Sequence, residues 1–469
     1  MSVATSPIRH PDTSSPDVMR MRAWWLVVLN VVVPGSAQAL AGNRRLGRIG
    51  LRSTIVGWGV IVLAILIGLI SREFLSALAV NFFILILIQA ALVYYCVLWI
   101  VLTLDTLRLV KFVKIDVRPR AWIAGVAVVL LTFTAGGAAW GASTAGSLNA
   151  GLSGLTGGGN FFDLAQLGPS DPPIDGQYNI LVLGGDSGPD RDGLRTDTIQ
   201  VVSVNAESGQ ATIVGMPRDL HDAPFSEGSP MWSLYPNGYT EYDADYCVEF
   251  ACLNTIYTDI EMNHPELYPD AVANGSSPGI EAVRDAVEGI TGLTIPYFAL
   301  IDMQGAVDLI DSLGGLDINV TERVAIAEPE TAMEDVPEWI EVGSQHMDGY
   351  TAIMYARSRW DNTDYTRMQR QQQLQEALLQ QINPANIVTK FSEIMDAGTQ
   401  MVRTNIPRSM LSYFITLAGK TKELPITHIE LTPESDTIPT DPLYPDYPTI
   451  HDFIQSVIHP PVEETPASN

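Results

Sequence analysis

The sequence predicts an all-α membrane region followed by an α/β domain, on three observations. Charge is divided unevenly: residues 1–150 carry thirteen Lys and Arg against five Asp and Glu, whereas residues 151–469 carry fourteen against forty-eight. The formal charge of −26 is therefore the sum of a basic segment at +8 and an acidic one at −34. Apolar stretches approaching the roughly 20 residues that a bilayer core requires lie only in the basic segment. From Tyr178 onward, short strand-like runs alternate with helical ones. A basic, apolar third joined to an acidic two-thirds excludes a single soluble domain. The acidic part also argues against nucleic acid as a partner, because phosphate backbones are bound by basic footprints. With only Cys96, Cys247 and Cys252 available, neither a disulfide framework nor a four-cysteine zinc site is expected.

In chain order, a cytoplasmic segment over 1–22 precedes a membrane region over 23–142. Spans are expected at about 53–71, 78–104 and 121–142, since nineteen uncharged residues separate Arg52 from Arg72 and thirty-one separate Glu73 from Asp105. Arg108, Lys111, Lys114, Arg118 and Arg120 mark the loop before the last span as cytoplasmic, and the next cation is Arg191, so everything downstream belongs outside. Residues 23–43 are interrupted by Pro34, Gly35 and Ser36 and have basic residues on both flanks. They read as a re-entrant or interfacial hairpin, with a fourth span as the alternative. Residues 143–174, rich in Gly, Ser and then Pro, read as a flexible linker to a domain over 175–458. The last stretch, 459–469, reads as a disordered tail.

Within the domain, Tyr178–Gly184, Thr198–Asn205 and Ala211–Met216 read as strands. Paired as antiparallel neighbours, they bring Asp186, Arg195, Asp197, Arg218 and Asp219 to one edge of the sheet. Tyr297–Asp302 is a further strand and Met303–Leu313 a helix stopped by Gly314-Gly315. Another helix starts near Asp348 and ends in Tyr355-Ala356-Arg357-Ser358-Arg359. The next runs from Asp364 to Ile382. On it Asp364, Arg367, Gln371, Leu374, Leu378 and Ile382 recur every three or four residues and share one face. The apolar lower turns must face the core, so the polar first turns also point inward, where an Arg requires an anionic partner. Seven of the fourteen cations after residue 150, all Arg, lie in two short segments (Arg191, Arg195 and Arg218; Arg357, Arg359, Arg367 and Arg370). Surface ion pairs explain any one of them. Their clustering, and the planar fork of Arg, fit a phosphate site, and two nearby carboxylates suit Mg²⁺.

The ordered set Gly-Gly-Asp186-Ser187, Arg195-Thr196-Asp197-Thr198, Met216-Pro217-Arg218-Asp219, Ile301-Asp302, Leu313-Gly314-Gly315, Tyr355-Ala356-Arg357-Ser358-Arg359 and Asp364-x-x-Arg367-x-x-Arg370-Gln371-Gln372 resembles the LytR-CpsA-Psr family, over roughly residues 175–458. The resemblance implies a bacterial, membrane-anchored phosphotransferase that moves a glycopolymer from a polyprenyl pyrophosphate carrier to peptidoglycan. It also implies an extracytoplasmic three-layer α/β/α domain with a central mixed sheet and an apolar tunnel for the lipid. Asp186 and Asp197 resemble the carboxylates that hold Mg²⁺, or another divalent cation such as Mn²⁺. Arg195, Arg218, Arg357, Arg359, Arg367 and Gln371 resemble pyrophosphate-binding residues. Arg218 and Arg367 are then central to catalysis, with Asp219 or Asp364 as candidate base. Many family members carry a basic residue in the insertion after the Arg-Asp motif, but no Lys or Arg lies between Arg218 and Arg284 here. That insertion holds Cys247 and Cys252, which an extracytoplasmic location predicts to form a disulfide.

Two other functions use the same residues: hydrolysis of polyprenyl pyrophosphate, and non-catalytic sensing of lipid-linked glycan. Against sensing stands the shortness of the cytoplasmic segment, which leaves no room for an output domain. Besides membrane lipid, other cell-envelope proteins are expected partners for the spans, with simple anchoring as the alternative.

Overall fold

A computed structural model describes residues 11–13, 15–70, 78, 81–155, 171–186, 195–240, 252–327, 331–358, 360, 364–381 and 402–460. The chain forms two compact units, one from Met1–Ala150 and the other chiefly from Gly168–Asn469.

Five helices build the first unit among its described residues: α1 (Pro16–Val32), α2 (Ser36–Ala41), α3 (Arg44–Ile70), α4 (Phe82–Val110) and α5 (Val117–Leu155). Three of these, α3, α4 and α5, are long and apolar enough to cross a membrane. The break between α1 and α2 falls at Pro34-Gly35, where Gly35 has φ 94° and a Cβ would come within 2.6 Å of the Leu51 nitrogen in α3. Only Gly permits both the turn and the approach. Side chains of this hairpin bond near the charged ends of their neighbours. Arg22 donates to the Leu109 carbonyl (2.8 Å), Asn30 to Thr103 (3.1 Å), and Gln38 to Thr106 and the Leu102 carbonyl (both 2.8 Å). At the tip, Thr54 donates to the Pro34 carbonyl at 3.1 Å.

The expected flexible linker is helical over its first part, because α5 continues to Leu155. Residues 143–155 hold three glycines and no proline. Each glycine costs roughly 1 kcal/mol of helix propensity, while extending an existing helix needs no new nucleus. The rest of the linker up to residue 170, and the tail from 461, lie outside the described residues.

The second unit is the expected three-layer α/β/α domain around a mixed sheet. Its strands are β1 (Gln177–Asp186), β2 (Arg195–Asn205), β3 (Ala211–Met216), β4 (Tyr297–Asp302), β9 (Val402–Thr404) and β10 (Thr427–Glu430), in the order β10-β3-β2-β1-β4-β9. The β1–β2, β2–β3 and β4–β9 pairs are antiparallel; β1–β4 and β3–β10 are parallel. Alternation decides the layers. Leu181, Leu183, Ile199, Val201 and Val214 pack into the main core with helices α6 (Ile256–Asn263), α7 (Pro278–Thr291) and α12 (Tyr447–Ile458). On the opposite face, α11 (Arg408–Thr421) covers Tyr178 and Val204 at one end of the strands. Elsewhere on that face lie α8 (Met303–Leu313), α9 (Gly349–Arg357) and α10 (Asp364–Gln381). Two small antiparallel pairs, β5 (Leu316–Val320) with β8 (Gly343–Met347) and β6 (Val324–Ile326) with β7 (Glu338–Ile340), share a second core with α8, α9 and α10.

Candidate functional site

The site begins with an irregularity between β1 and β2. Gly184 stands opposite Thr198 and Gly185 opposite Thr196, so Asp197 has no counterpart on β1. Such a bulge re-aims a side chain and frees a carbonyl from the ladder. Both results are visible: the Asp197 carboxylate accepts from Arg218 Nη1 at 2.9 Å, and its carbonyl accepts from Arg367 Nη2 at 3.3 Å. Gly184 is required beside the bulge, since a Cβ there would lie 2.9 Å from that of Thr198. Arg218 arrives because β3 runs antiparallel to β2 and ends at Met216, before Pro217.

Between the sheet and helices α8, α9 and α10 lies a cavity of about 550 Å³. Asp197, Arg218, Arg357 and Arg367 line it where the strands end, and Val202, Ile213, Leu374 and Leu378 line it farther along. The cavity thus has a charged end and an apolar body. Helical spacing puts Arg367, Gln371, Leu374 and Leu378 on its wall, as the stripe on α10 predicts. Arg367 is 4% exposed. Arg370, equally buried, lies on a different side of the helix: its Nε donates to the Tyr355 carbonyl at 2.9 Å, and Nη2 bonds the Ser358 carbonyl. It satisfies carbonyls at the C-terminus of α9, where a cation is favoured, and so fixes the helix that carries Arg357.

Asp186 ends β1 opposite Arg195, the first residue of β2, so their backbones meet at the expected rim. Their side chains, that of Asp364 at the start of α10, and the whole of Arg359 and Cys247 lie outside the described residues. Asp219 is adjacent to Arg218 but does not line the cavity, and its buried Oδ1 has no hydrogen-bond partner. Cys252 is buried with Sγ 3.5 Å from His221 Nε2. In the insertion, the Asn254 N–H donates to the Arg218 carbonyl at 3.1 Å, holding the Arg-Asp turn by backbone contact.

Sequence reasoning missed Gln200 and Gln375, which bond to each other at 2.6 Å on the cavity wall. The signal was present: Gln375 lies four residues beyond Gln371 on the same stripe, and Gln200 interrupts an apolar strand. It also missed Glu430 on β10, which burial pushes up to about 7 despite a hydrogen bond from Gln372.

Of the two carboxylates expected to hold a divalent cation, only that of Asp197 belongs to the described side chains; the bulge presents it to the cavity, where it pairs with Arg218. Among the described residues there is no group of three or more His, Cys, Asp or Glu that would hold an ion by protein ligands alone.

The LytR_cpsA_psr family model matches residues 167–444. The polyisoprenyl-teichoic acid–peptidoglycan teichoic acid transferase TagU of Halalkalibacterium halodurans is 27% identical over 231 residues, 49% of this chain and 61% of that protein. The cell wall biosynthesis protein LcpA of Corynebacterium glutamicum is 30% identical over 254 residues, 49% of this chain and 45% of that protein. The chain thus spans about half to three-fifths of the length of these relatives. A crystal structure of TagV from B. subtilis is 19% identical with a TM-score of 0.41, covering 60% of this chain and 97% of that one. With the motifs, the bulged site and a family match over more than half of its length, the chain belongs to the LytR-CpsA-Psr family.

Proposed function

We propose that this protein transfers a phosphoglycopolymer from a polyprenyl diphosphate carrier to peptidoglycan. The carrying observation is a cavity with an Arg-rich end and an apolar body, the shape and polarity of a lipid diphosphate. Arg218, Arg357 and Arg367 would bind the diphosphate oxygens by charge-assisted hydrogen bonds, while Gln371 supports it from the next turn of α10. An acceptor hydroxyl would attack the sugar-side phosphorus. A P–O bond forms to the acceptor, the bridging P–O bond breaks, and polyprenyl monophosphate leaves with the electron pair. The hydroxyl proton would pass to a carboxylate, Asp364 one turn before Arg367 or Asp219 beside Arg218, the latter lying off the cavity wall. Asp186 and Asp197 would hold Mg²⁺ or Mn²⁺, which when bound supplies further positive charge to the phosphate oxygens. Similarity to a protein named as a teichoic acid transferase supports this reading.

The catalytic unit would lie outside the cytoplasm of a bacterial cell, with α3, α4 and α5 crossing its membrane. The hairpin α1–α2 would stay at the cytoplasmic interface, since its partners on α4 lie at 102–109, beside Asp105 and Arg108. The deciding experiment incubates full-length protein in nanodiscs with labelled polyprenyl diphosphoglycan, peptidoglycan and Mg²⁺. Label on peptidoglycan is expected; free phosphoglycan would mean hydrolysis, and unchanged substrate would overturn both.

A further inference from the structure

Beside the charged end of the cavity is a side-chain cluster that diphosphate binding does not use. Trp339 on β7 and Trp360, just after α9, meet edge to face with centroids 5.0 Å apart. Arg323 lies over the Trp339 ring at 4.1 Å and pairs with Glu341 at 2.9 Å. The Trp360 Nε1 donates to the Thr331 carbonyl at 2.6 Å, which fixes that indole from its polar edge. Both indoles remain partly exposed, and Arg323 and Glu341 are exposed by about half.

The cluster is fastened to the site. Ser358, next to Arg357, donates to the Ala325 carbonyl at 2.7 Å, and Ala325 stands directly opposite Trp339 in the β6–β7 pair. Arg370 bonds the carbonyls on either side of Arg357, those of Tyr355 and Ser358. Trp360 follows Arg357 by three residues, so their Cα atoms are at most about 11 Å apart. The indole pair and Arg357 are therefore tied together by a short stretch of chain and by the Ser358–Ala325 bond.

We propose that Trp339 and Trp360, with Arg323 and Glu341, form a saccharide subsite next to the diphosphate end of the cavity. This deepens the transfer reading and rests on it. A pyranose has an apolar C–H face that stacks on indole and a rim of hydroxyls that planar charged groups read in pairs. Rigid aromatic surface provides contact at low entropic cost, because only two torsions need be fixed for each ring. The saccharide is either the first sugar of the carrier-linked polymer or the acceptor glycan, and the probes separate these sources.

Isothermal titration of the full-length protein in nanodiscs would use geranylgeranyl diphosphate, geranylgeranyl diphospho-N-acetylglucosamine and chitotetraose. Trp360→Ala is expected to weaken one sugar-bearing probe about tenfold, while geranylgeranyl diphosphate binds as to wild type. Loss on the lipid-linked sugar assigns the subsite to the donor, and loss on chitotetraose assigns it to the acceptor. Trp360→Phe, which keeps an aromatic face, should retain most of the affinity. Arg323→Gln, an exposed change with little risk to the fold, should weaken the same probe at least about threefold. Unchanged binding of both sugar probes by Arg323→Gln and Trp360→Ala would overturn the subsite. If wild type fails to bind geranylgeranyl diphosphate, the transfer reading falls first, and the two failures are thereby distinguished.

Discussion

At the scale of single residues, four arginines that look alike in sequence divide by their partners. Arg218 and Arg367 converge on Asp197 and line the cavity, Arg357 joins them there, and Arg370 holds the carbonyls at the end of α9. Arg218→Ala and Arg367→Ala should therefore each lower transfer by about 100-fold or more in protein that still folds, because charge stabilisation of the reacting phosphate is lost. Arg370→Ala should instead destabilise the domain by about 2–4 kcal/mol in denaturant titrations, since it leaves buried carbonyls unsatisfied. Equal stability of Arg370→Ala and wild type would refute that division. Glu430 gives a pH signature. Its carboxyl is raised from an ordinary 4.5 to about 7 by burial, so the folded protein holds a proton that the unfolded chain releases. Wild type should lose stability relative to Glu430→Gln as pH rises from about 4.5 to 7, with no further divergence above. Parallel melting curves across that window would show that Glu430 is not protonated in the fold.

At the scale of elements, periodicity makes α10 legible in the sequence, down to the face that Arg367 and Leu374 share. The bulge at Asp197 was not legible. Sequence spacing puts Arg195 and Asp197 on the same side of a regular strand, and only the slipped pairing with β1 reveals that Asp197 stands alone. The end of α5 was misread for a different reason: small residues without proline are compatible with both linker and helix, and a helix already formed upstream decides between them. The wall that α10 builds makes a measurable claim. Leu378→Trp adds bulk beyond Leu374, away from the Arg-rich end, so affinity should fall more for geranylgeranyl than for geranyl diphosphate, by about tenfold in the ratio. An unchanged ratio would place the lipid elsewhere. The hairpin α1–α2 yields a topological expectation. With Cys96, Cys247 and Cys252 replaced by Ser, Ser15→Cys and Lys111→Cys should both resist an impermeant thiol reagent in intact cells and react in inverted membranes. Labelling of Ser15→Cys from outside would mean that the segment spans.

At the scale of the whole molecule, the division of charge located the boundary between membrane region and domain, and the motifs located the site, because both are written in residue identities. What stayed hidden, such as the Trp339–Trp360 pair, depends on segments distant in sequence meeting in space. If the spans serve only as an anchor, replacing residues 1–150 with one unrelated membrane span should keep transfer within about threefold of wild type, the change expected when no transition-state contact is lost. A larger loss with unchanged geranylgeranyl diphosphate affinity would give the spans a role beyond anchoring. The change of polarity along the cavity has a consequence of its own. Its arginines gather at one end and its apolar residues at the other, so a bound lipid diphosphate can be held in one direction only. On the proposed reading, transfer takes one phosphate away from the group those arginines hold, and the lost charge loosens the spent carrier: the reaction itself prepares the release of its product.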